Sequence, residues 1–206
     1  MKVFAVAGAA LVLAGASLLS GCALTPSAPP PPTTYAIEPA PGPVAGSLPA
    51  ARYALGSVRV AASFAGDELV YRIDEVRFQG DFQHRLLVPA GVMLGDRIAA
   101  WFAVAAAPLP AGAAAAVAPA YMIDADFEAL YGDFRPGQPA AAVMAVRIRL
   151  RQASGQGGRE ILLRRYEQRV ELKQQTPAEL VRGYNLALGA ILVRLAADIK
   201  ALPAPG

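Results

Sequence analysis

The sequence predicts an α+β fold in which an antiparallel β-sheet carries two helices packed on one face. Residues 121–129 and 146–151 alternate between apolar and polar side chains, which is typical of half-buried antiparallel strands. A helical period begins near Pro89, and a capped amphipathic helix begins at Thr176. A sheet with one apolar face and two amphipathic helices bury their apolar surfaces by packing against each other.

The N-terminus predicts a lipoprotein signal peptide over residues 1–21. Lys2 precedes an apolar run, and small residues at its end lead to Cys22, the single cysteine of the chain. The run LSGC at residues 19–22 fits the bacterial lipobox, in which the cysteine becomes the new N-terminus and carries acyl chains on its sulfur and its amine. Several chains give stable anchoring, because each buried methylene contributes about 0.8 kcal/mol. The alternative is an uncleaved membrane helix with an unused thiol.

A proline-rich tether is predicted over residues 22–32. The run ALTPSAPPPP at residues 23–32 cannot form a helix or pair within a central strand. At about 3.1 Å per residue in the polyproline II conformation, it spans roughly 30 Å. Ala23 follows Cys22 where an aspartate would retain a lipoprotein in the inner membrane of a Gram-negative cell, so we expect the protein in the periplasmic leaflet of the outer membrane. A single α+β domain is expected over residues 33–203.

Short strands are predicted in the first part of this domain. Residues 33–37 form a brief strand-like segment, and Tyr53–Val60 alternate with one slip near Gly56. After a turn at residues 65–68, two further strands are expected at residues 69–72 and 75–78, separated by Asp74.

The first helix is predicted to begin at Pro89, with an apolar face made of Leu94, Ile98, Trp101 and Phe102. Residues 98–123 carry no charged side chain, so a second membrane span has to be considered. Four helix-breaking prolines and glycines interrupt the run, and alanine supplies most of it. We therefore expect the end of a helix, an alanine-rich loop and the start of a strand.

A β-hairpin follows, with its expected centre between Gly137 and Gln138. This centre pairs position 124 with 151, 126 with 149 and 128 with 147, so that three carboxylates face three arginines on the solvated side. The same register places Phe127 opposite Ile148 and Ala125 opposite Leu150 on the core side.

A third strand and a long helix complete the predicted domain. Residues 160–172 read as a strand whose first half breaks the alternation, so a bulge is expected there. Thr176 and Glu179 form a capping box with Pro177 at the first helical position. The helix runs to about Ala201 with a continuous apolar stripe, made of Leu180, Tyr184, Leu188, Ile191, Leu195 and Ile199.

The residue inventory argues against catalysis, so no enzyme activity, cofactor or metal is expected. The net charge of +3 is spread along the chain, which makes nucleic acid an unlikely class of partner. With one histidine, few serines and its only cysteine in the lipobox, the chain cannot assemble a Ser/His/Asp site or a zinc site of usual composition. His84 is interpreted as a surface or structural imidazole. Asp124, Asp126 and Glu128 suggest a cation site or an acid/base pair, but the facing arginines neutralise them.

Several short segments resemble a known family. The run LVYR at residues 69–72, the run FQHR at 82–85, Pro89, Met93 and the helix near Trp101 are similar to segments of the ABC-type transport auxiliary lipoproteins of the PqiC type. The run YAI at 35–37 matches the early strand of that family, whereas Leu86 stands where it usually has tryptophan.

This resemblance implies an α+β domain that assists a lipid transporter. Its expected partners are a mammalian-cell-entry (MCE) domain protein, an ABC permease and an ATPase, and self-association is left open. The residues assigned to partner binding by the resemblance are Leu69, Val70, Tyr71, Arg72, His84 and Arg85.

Two functional hypotheses are consistent with the sequence. The first is a non-catalytic accessory lipoprotein of an MCE-type lipid transport system. The second is an envelope lipoprotein that scaffolds or regulates other proteins without a part in transport. A periplasmic hydrolase has almost no residues to support it.

Overall fold

The chain folds into one seven-stranded sheet and two helices, which are formed by the segments with alternating and helical residue patterns. The computed structural model describes residues 30–109, 120–152 and 158–202. Its elements are β1 Thr33–Tyr35, β2 Tyr53–Val60, β3 Glu68–Arg72, β4 Phe78–Leu86, α1 Ala90–Ala105, β5 Tyr121–Asp133, β6 Ala141–Gln152, β7 Arg159–Glu171 and α2 Pro177–Lys200. The predicted signal peptide, Cys22 and most of the predicted tether lie outside the described residues.

The long strand β5 lies at the centre of the sheet. The strand order is β1-β4-β3-β5-β6-β7, and β2 also pairs with β5. On one edge of β5, β2 pairs with residues 121–127 and β3 pairs with residues 132–133. A 3-10 turn, Ala62–Phe64, separates these two strands, so β2 and β3 follow each other along the same neighbour.

The α+β class is confirmed, but the sheet is mixed and not purely antiparallel. β1 runs parallel to β4, and both β2 and β3 run parallel to β5. Residue alternation reports which face of a strand is buried, and it carries no information about the direction of the neighbouring strand. The meander of β5, β6 and β7 is antiparallel throughout, as expected.

Both helices bury their apolar faces in a single core on one side of the sheet. All four predicted core residues of α1 are at most 3% exposed. The residues of the predicted α2 stripe are equally buried, except Ile199, which is 5% exposed. The Thr176 hydroxyl accepts a hydrogen bond from the Glu179 amide at 3.3 Å, which confirms the predicted cap. In the described part of the chain, α2 alone is long and apolar enough to cross a membrane, and 61% of its most apolar window is buried within the domain.

Two predicted irregularities are confirmed. The register of β2 against β5 shifts between Leu55 and Val58, at the predicted slip near Gly56. A Cβ atom at Gly56 would lie 2.5 Å from the Asp124 carboxylate, so a larger residue there would displace this side chain. The register of β7 against β6 shifts near Leu150, which places the expected bulge in the first half of β7.

The predicted hairpin register is wrong by two residues. Asp124 lies opposite Arg149 and Asp126 lies opposite Arg147, while Phe127 lies opposite Val146 and not Ile148. The turn is centred on Gly137, which has a φ of 76°. A bulge between Phe127 and Ala129 adds a second one-residue shift. Before the bulge the two shifts preserve the alternation, so residues 123–127 keep their predicted faces. Beyond it the faces exchange, and Leu130 is buried in the core in place of Ala129.

One short strand was predicted in the wrong place. Residues 75–77 form a turn, because the Asp74 carboxylate accepts hydrogen bonds from the Val76 and Arg77 amides at 3.0 and 2.7 Å. β4 begins only at Phe78 and continues to Leu86, so His84 and Arg85 belong to this strand.

Candidate partner-binding surface

The two segments predicted to bind a partner are brought together on neighbouring strands. Residues 69–72 lie on β3 and residues 82–85 on β4, and Glu68 pairs with Arg85 where the two strands meet. Leu69 is only 1% exposed and packs in the core, so its side chain supports this surface from below. Val70, Tyr71 and Arg72 are half-buried.

A wide bulge in β4 shapes this surface. Leu69 pairs with Asp81 and the preceding Glu68 pairs with Arg85, so residues 82–84 have no counterpart on β3. The Asp81 carboxylate accepts hydrogen bonds from the backbone amides of Gln83 and His84 at 2.9 and 3.0 Å. This side chain therefore satisfies backbone donors that the ladder leaves unpaired.

Asp81 also joins two of the predicted residues. The Tyr71 hydroxyl donates to its Oδ2 atom at 3.0 Å, and the Nδ1 atom of His84 lies 2.8 Å from the same oxygen. The Tyr71 ring stacks on Phe134 with 4.9 Å between ring centroids. Tyr71 and His84 thus act together in holding the bulge, and neither is free to act as an independent contact.

The protonation states of Asp81 and Tyr71 favour the hydrogen bond between them. Burial acts to raise the pKa of Asp81, but hydrogen bonds from His84, from the Gln83 amide and from Tyr71 outweigh it and leave that pKa below its usual range. Burial, followed by the hydrogen bond to Asp81, raises the pKa of Tyr71. A charged acceptor and a protonated donor therefore face each other at neutral pH.

The bulge exposes an aromatic side chain that sequence reasoning missed. Phe82, between Asp81 and Gln83, is 72% exposed. In the described part of the chain β1 pairs with residues 84–86 alone, which leaves residues 78–83 of β4 open on that side. Leu87 and Val92, just beyond β4 and in the first turn of α1, are 65% and 55% exposed. We call Phe82, Leu87 and Val92 the β4 apolar surface.

The arginines of this region are already paired. Arg85 lies 2.9 Å from the Asp67 carboxylate, and Arg72 lies 3.2 Å from that of Glu75. The Arg72 guanidinium also lies 5.7 Å from the centroid of the Phe78 ring. These cations are therefore held by neighbours of their own chain, and the exposed apolar side chains remain the stronger candidates for a contact.

Asp81 and Phe82 carry only faint sequence signals. Asp81 stands three residues before His84, and such a spacing links a side chain to a turn, but the same spacing is common on surfaces. Their importance depends on the bulge, which follows from the pairing of β4 with β3 and is invisible in the local pattern.

Arginines pair with the acidic row on β5, as the sequence suggested, and two of the three expected ion pairs are present. Asp126 pairs with Arg59 of β2 at 2.6 Å, not with Arg149, which pairs with Glu160 at 2.9 Å. The expected pairs of Asp124 with Arg151 at 2.8 Å and of Glu128 with Arg147 at 2.5 Å form between diagonal neighbours. Arg165 of β7 also lies 2.7 Å from Glu128. Within residues 30–109, 120–152 and 158–202, no group of three or more histidine, cysteine or acidic side chains is arranged to hold a metal.

Comparison with known proteins identifies the fold. No family model matches the chain, and no curated protein matches it. The crystal structure of protein XCC0632 from Xanthomonas campestris, assigned to family DUF330, is similar with a TM-score of 0.66 and 16% identity, over 80% of this chain and 92% of that one. The structure of an uncharacterized protein is similar with a TM-score of 0.60 and 14% identity, over 82% and 99%. At these identities the likeness extends to the fold alone, and the domain has the fold of a DUF330 protein.

Proposed function

We propose that this protein is a non-catalytic accessory lipoprotein of an ABC-type lipid transport system that contains an MCE-domain protein. The predicted acylation of Cys22 anchors it to the periplasmic leaflet of the outer membrane, and the tether holds the domain away from the bilayer. The DUF330-like fold and the family resemblance of the sequence support this proposal. Any ATP-driven step belongs to another polypeptide of the system.

One observation carries the proposal. The family resemblance concentrates in two sequence segments, residues 69–72 and 82–85. These segments lie on the neighbouring strands β3 and β4 and are adjacent in the fold. The β4 bulge at residues 82–84 displays Phe82 at 72% exposure beside an open strand edge. Aromatic side chains at the centre of a contact supply a large share of binding energy in protein complexes.

The partner test is co-purification of the MCE-domain protein from envelopes solubilised in mild detergent. Phe82→Ala should reduce the captured partner about tenfold or more, because it removes the exposed aromatic without touching the Asp81 network. Leu163→Ala is the matched control, since Leu163 is 46% exposed on β7 at the other edge of the sheet. If wild-type protein captures no transporter component, the transport role is refuted and the envelope scaffold takes its place.

The anchor has a separate test. Cys22→Ala should block acylation, because the acyl chains attach to the sulfur and the new amine of this residue. The protein should then leave the outer-membrane fraction or be sorted incorrectly, as measured by sucrose-gradient fractionation and immunoblotting. Recovery of wild-type protein in the soluble periplasmic fraction would contradict the predicted anchor.

A further inference from the structure

We propose that a cavity at the end of the sheet where β5 begins binds one acyl chain of an amphiphile with an anionic head group. The inference deepens the proposed function and rests on it for the presence of lipid near the domain. It names the class of molecule that this domain would hold, and its site is distinct from the β4 apolar surface.

The cavity has the size of a ligand site. Its volume is about 520 Å³, within the range of roughly 300–1,000 Å³ that is common for small-molecule pockets. It lies where the first residues of β2, β5 and β7 meet the last residues of β6 and α2. Its lining includes Tyr53, Tyr121, Arg159, Ile161, Ile199 and Lys200.

The walls of the cavity are apolar and aromatic. Tyr53 stacks on Tyr121 with 5.3 Å between ring centroids and lies 5.5 Å from the ring of Phe102. Ile161 packs against the core from β7, and Ile199 is a core residue of α2. Burial, with the nearby Tyr121, raises the pKa of Tyr53 to about 12, so this wall stays uncharged at neutral pH.

Positive charge is placed at the mouth. Arg159 and Lys200 are both exposed and line the cavity. Arg159 makes a hydrogen bond of 3.4 Å to the neutral Gln152 side chain, and Lys200 has no carboxylate partner in the described part of the chain. The one acidic residue of the lining, Glu160, is held by Arg149 at 2.9 Å. An anionic group at the mouth would therefore meet two cations with little competition.

This distribution of polarity selects an acyl chain over a peptide. A peptide would carry backbone amide and carbonyl groups into the apolar interior, where unpaired polar groups are costly. An acyl chain is apolar along its length and has a polar group at one end only. The apolar walls and the cationic mouth complement that arrangement.

Photocrosslinking in proteoliposomes tests the inference with the acylated, full mature protein. The probe is a sixteen-carbon fatty acid that carries a diazirine on its chain, and the matched neutral probe is the corresponding alcohol. We expect crosslinks to Tyr53, Tyr121 and Ile161, located by mass spectrometry of tryptic peptides. Crosslinks distributed over the surface, or confined to residues outside the cavity, would overturn the inference.

Two variants and one control test the apolar walls and the cationic mouth separately. Ile161→Trp fills the cavity and should reduce crosslinking of both probes about tenfold. Leu163→Trp, two residues along β7 at an exposed position, should leave crosslinking unchanged. Arg159→Glu combined with Lys200→Glu touches no core residue and should weaken labelling by the acid about fivefold while sparing the alcohol. Equal labelling by both probes in the wild type would refute the anionic head group.

Other outcomes distinguish this inference from the proposed function. Deletion of residues 203–206 should change labelling little, whereas a tenfold increase would identify this segment as the occupant and overturn the proposal. Phe82→Ala should lose the MCE-domain partner but retain crosslinking, and Ile161→Trp should show the opposite pattern. Labelling of the cavity in a protein that captures no transporter component would refute the transport role and leave the acyl-chain site supported.

Discussion

At the scale of single residues, Asp133 is the most buried carboxylate of the described residues, and arginines surround it. Asp133 at the end of β5 is 1% exposed and lies 2.9 Å from Arg135 and 2.6 Å from Arg169. Hydrogen bonds from Arg135 and then from Arg169 hold the pKa of Asp133 well below its usual range, against the effect of burial. Asp133 is therefore the acidic residue whose loss should be felt most.

Asp133→Asn should lower the free energy of unfolding by about 3 kcal/mol at pH 7, because two arginines lose a buried partner. The depressed pKa means that Asp133 stabilises the fold fully above its unfolded pKa of about 3.9 and loses this effect as the pH falls towards its folded pKa. Urea unfolding at pH 7 and pH 3 should show that the free energies of unfolding of wild type and variant differ less at pH 3. A difference that grows on acidification would contradict this role.

A neighbouring pair on the same strand should behave differently. One third of the Asp126 side chain is exposed, and it pairs with the exposed Arg59. Asp126→Asn should therefore lower the free energy of unfolding by no more than about 1 kcal/mol and leave function intact. Phe127 faces the core and is 2% exposed, so Phe127→Ala should cost roughly 3 to 5 kcal/mol. Thermal melting and partner capture measure both effects. Loss of function in a folded Asp126→Asn protein would show that the acidic row has more than a structural role.

At the scale of elements, the β4 bulge depends on one side chain. Asp81 accepts two backbone amides and two side-chain groups, and it keeps Phe82 on the outside of the strand. The amides of a bulge lack an acceptor on the neighbouring strand, so they need another one, which the Asp81 carboxylate provides here.

Asp81→Ala should release the bulge without unfolding the domain. We expect a loss of about 1 to 3 kcal/mol, faster hydrogen exchange of the Gln83 and His84 amides, and weaker partner capture. Gln79→Ala is the control, because Gln79 is exposed on the same strand before the bulge. Unchanged amide exchange in the Asp81 variant would show that the bulge is held by the strand pairing itself.

At the scale of the whole molecule, the position of the domain is expected to matter as much as any single contact. Deleting the four prolines of residues 29–32 should withdraw the domain by about 12 Å at the rise of polyproline II. Partner capture in intact envelopes, measured by crosslinking, should fall while the melting temperature of the domain stays the same. Restoring the length with four alternative residues should restore capture. If the shortened protein captured as much partner as the wild type, tether length would have no role.

Much of the fold could be predicted because its signals are local. The Thr176 cap, the apolar stripe of α2, the face of α1 and the alternation of the meander each depend on residues within a few turns of one another. The bulge in β7 and the slip near Gly56 were visible as breaks in the same local patterns. Local patterns report burial and chain conformation, and these are the features that the structure confirms.

The remaining features depend on residues that are distant in the sequence. Arg59 and Asp126 are separated by 67 positions, and their pairing follows from the parallel contact of β2 with β5, which no local pattern encodes. The same holds for Asp81 and its bulge, and for the cavity where four strand ends meet α2. Apart from β4, the sequence by itself determined which segments form helices and strands, and it indicated which of their faces are buried. The tertiary structure alone decided the parallel pairing of β1, β2 and β3, the exact register and the composition of the sites, because these follow from contacts between segments that only folding brings together.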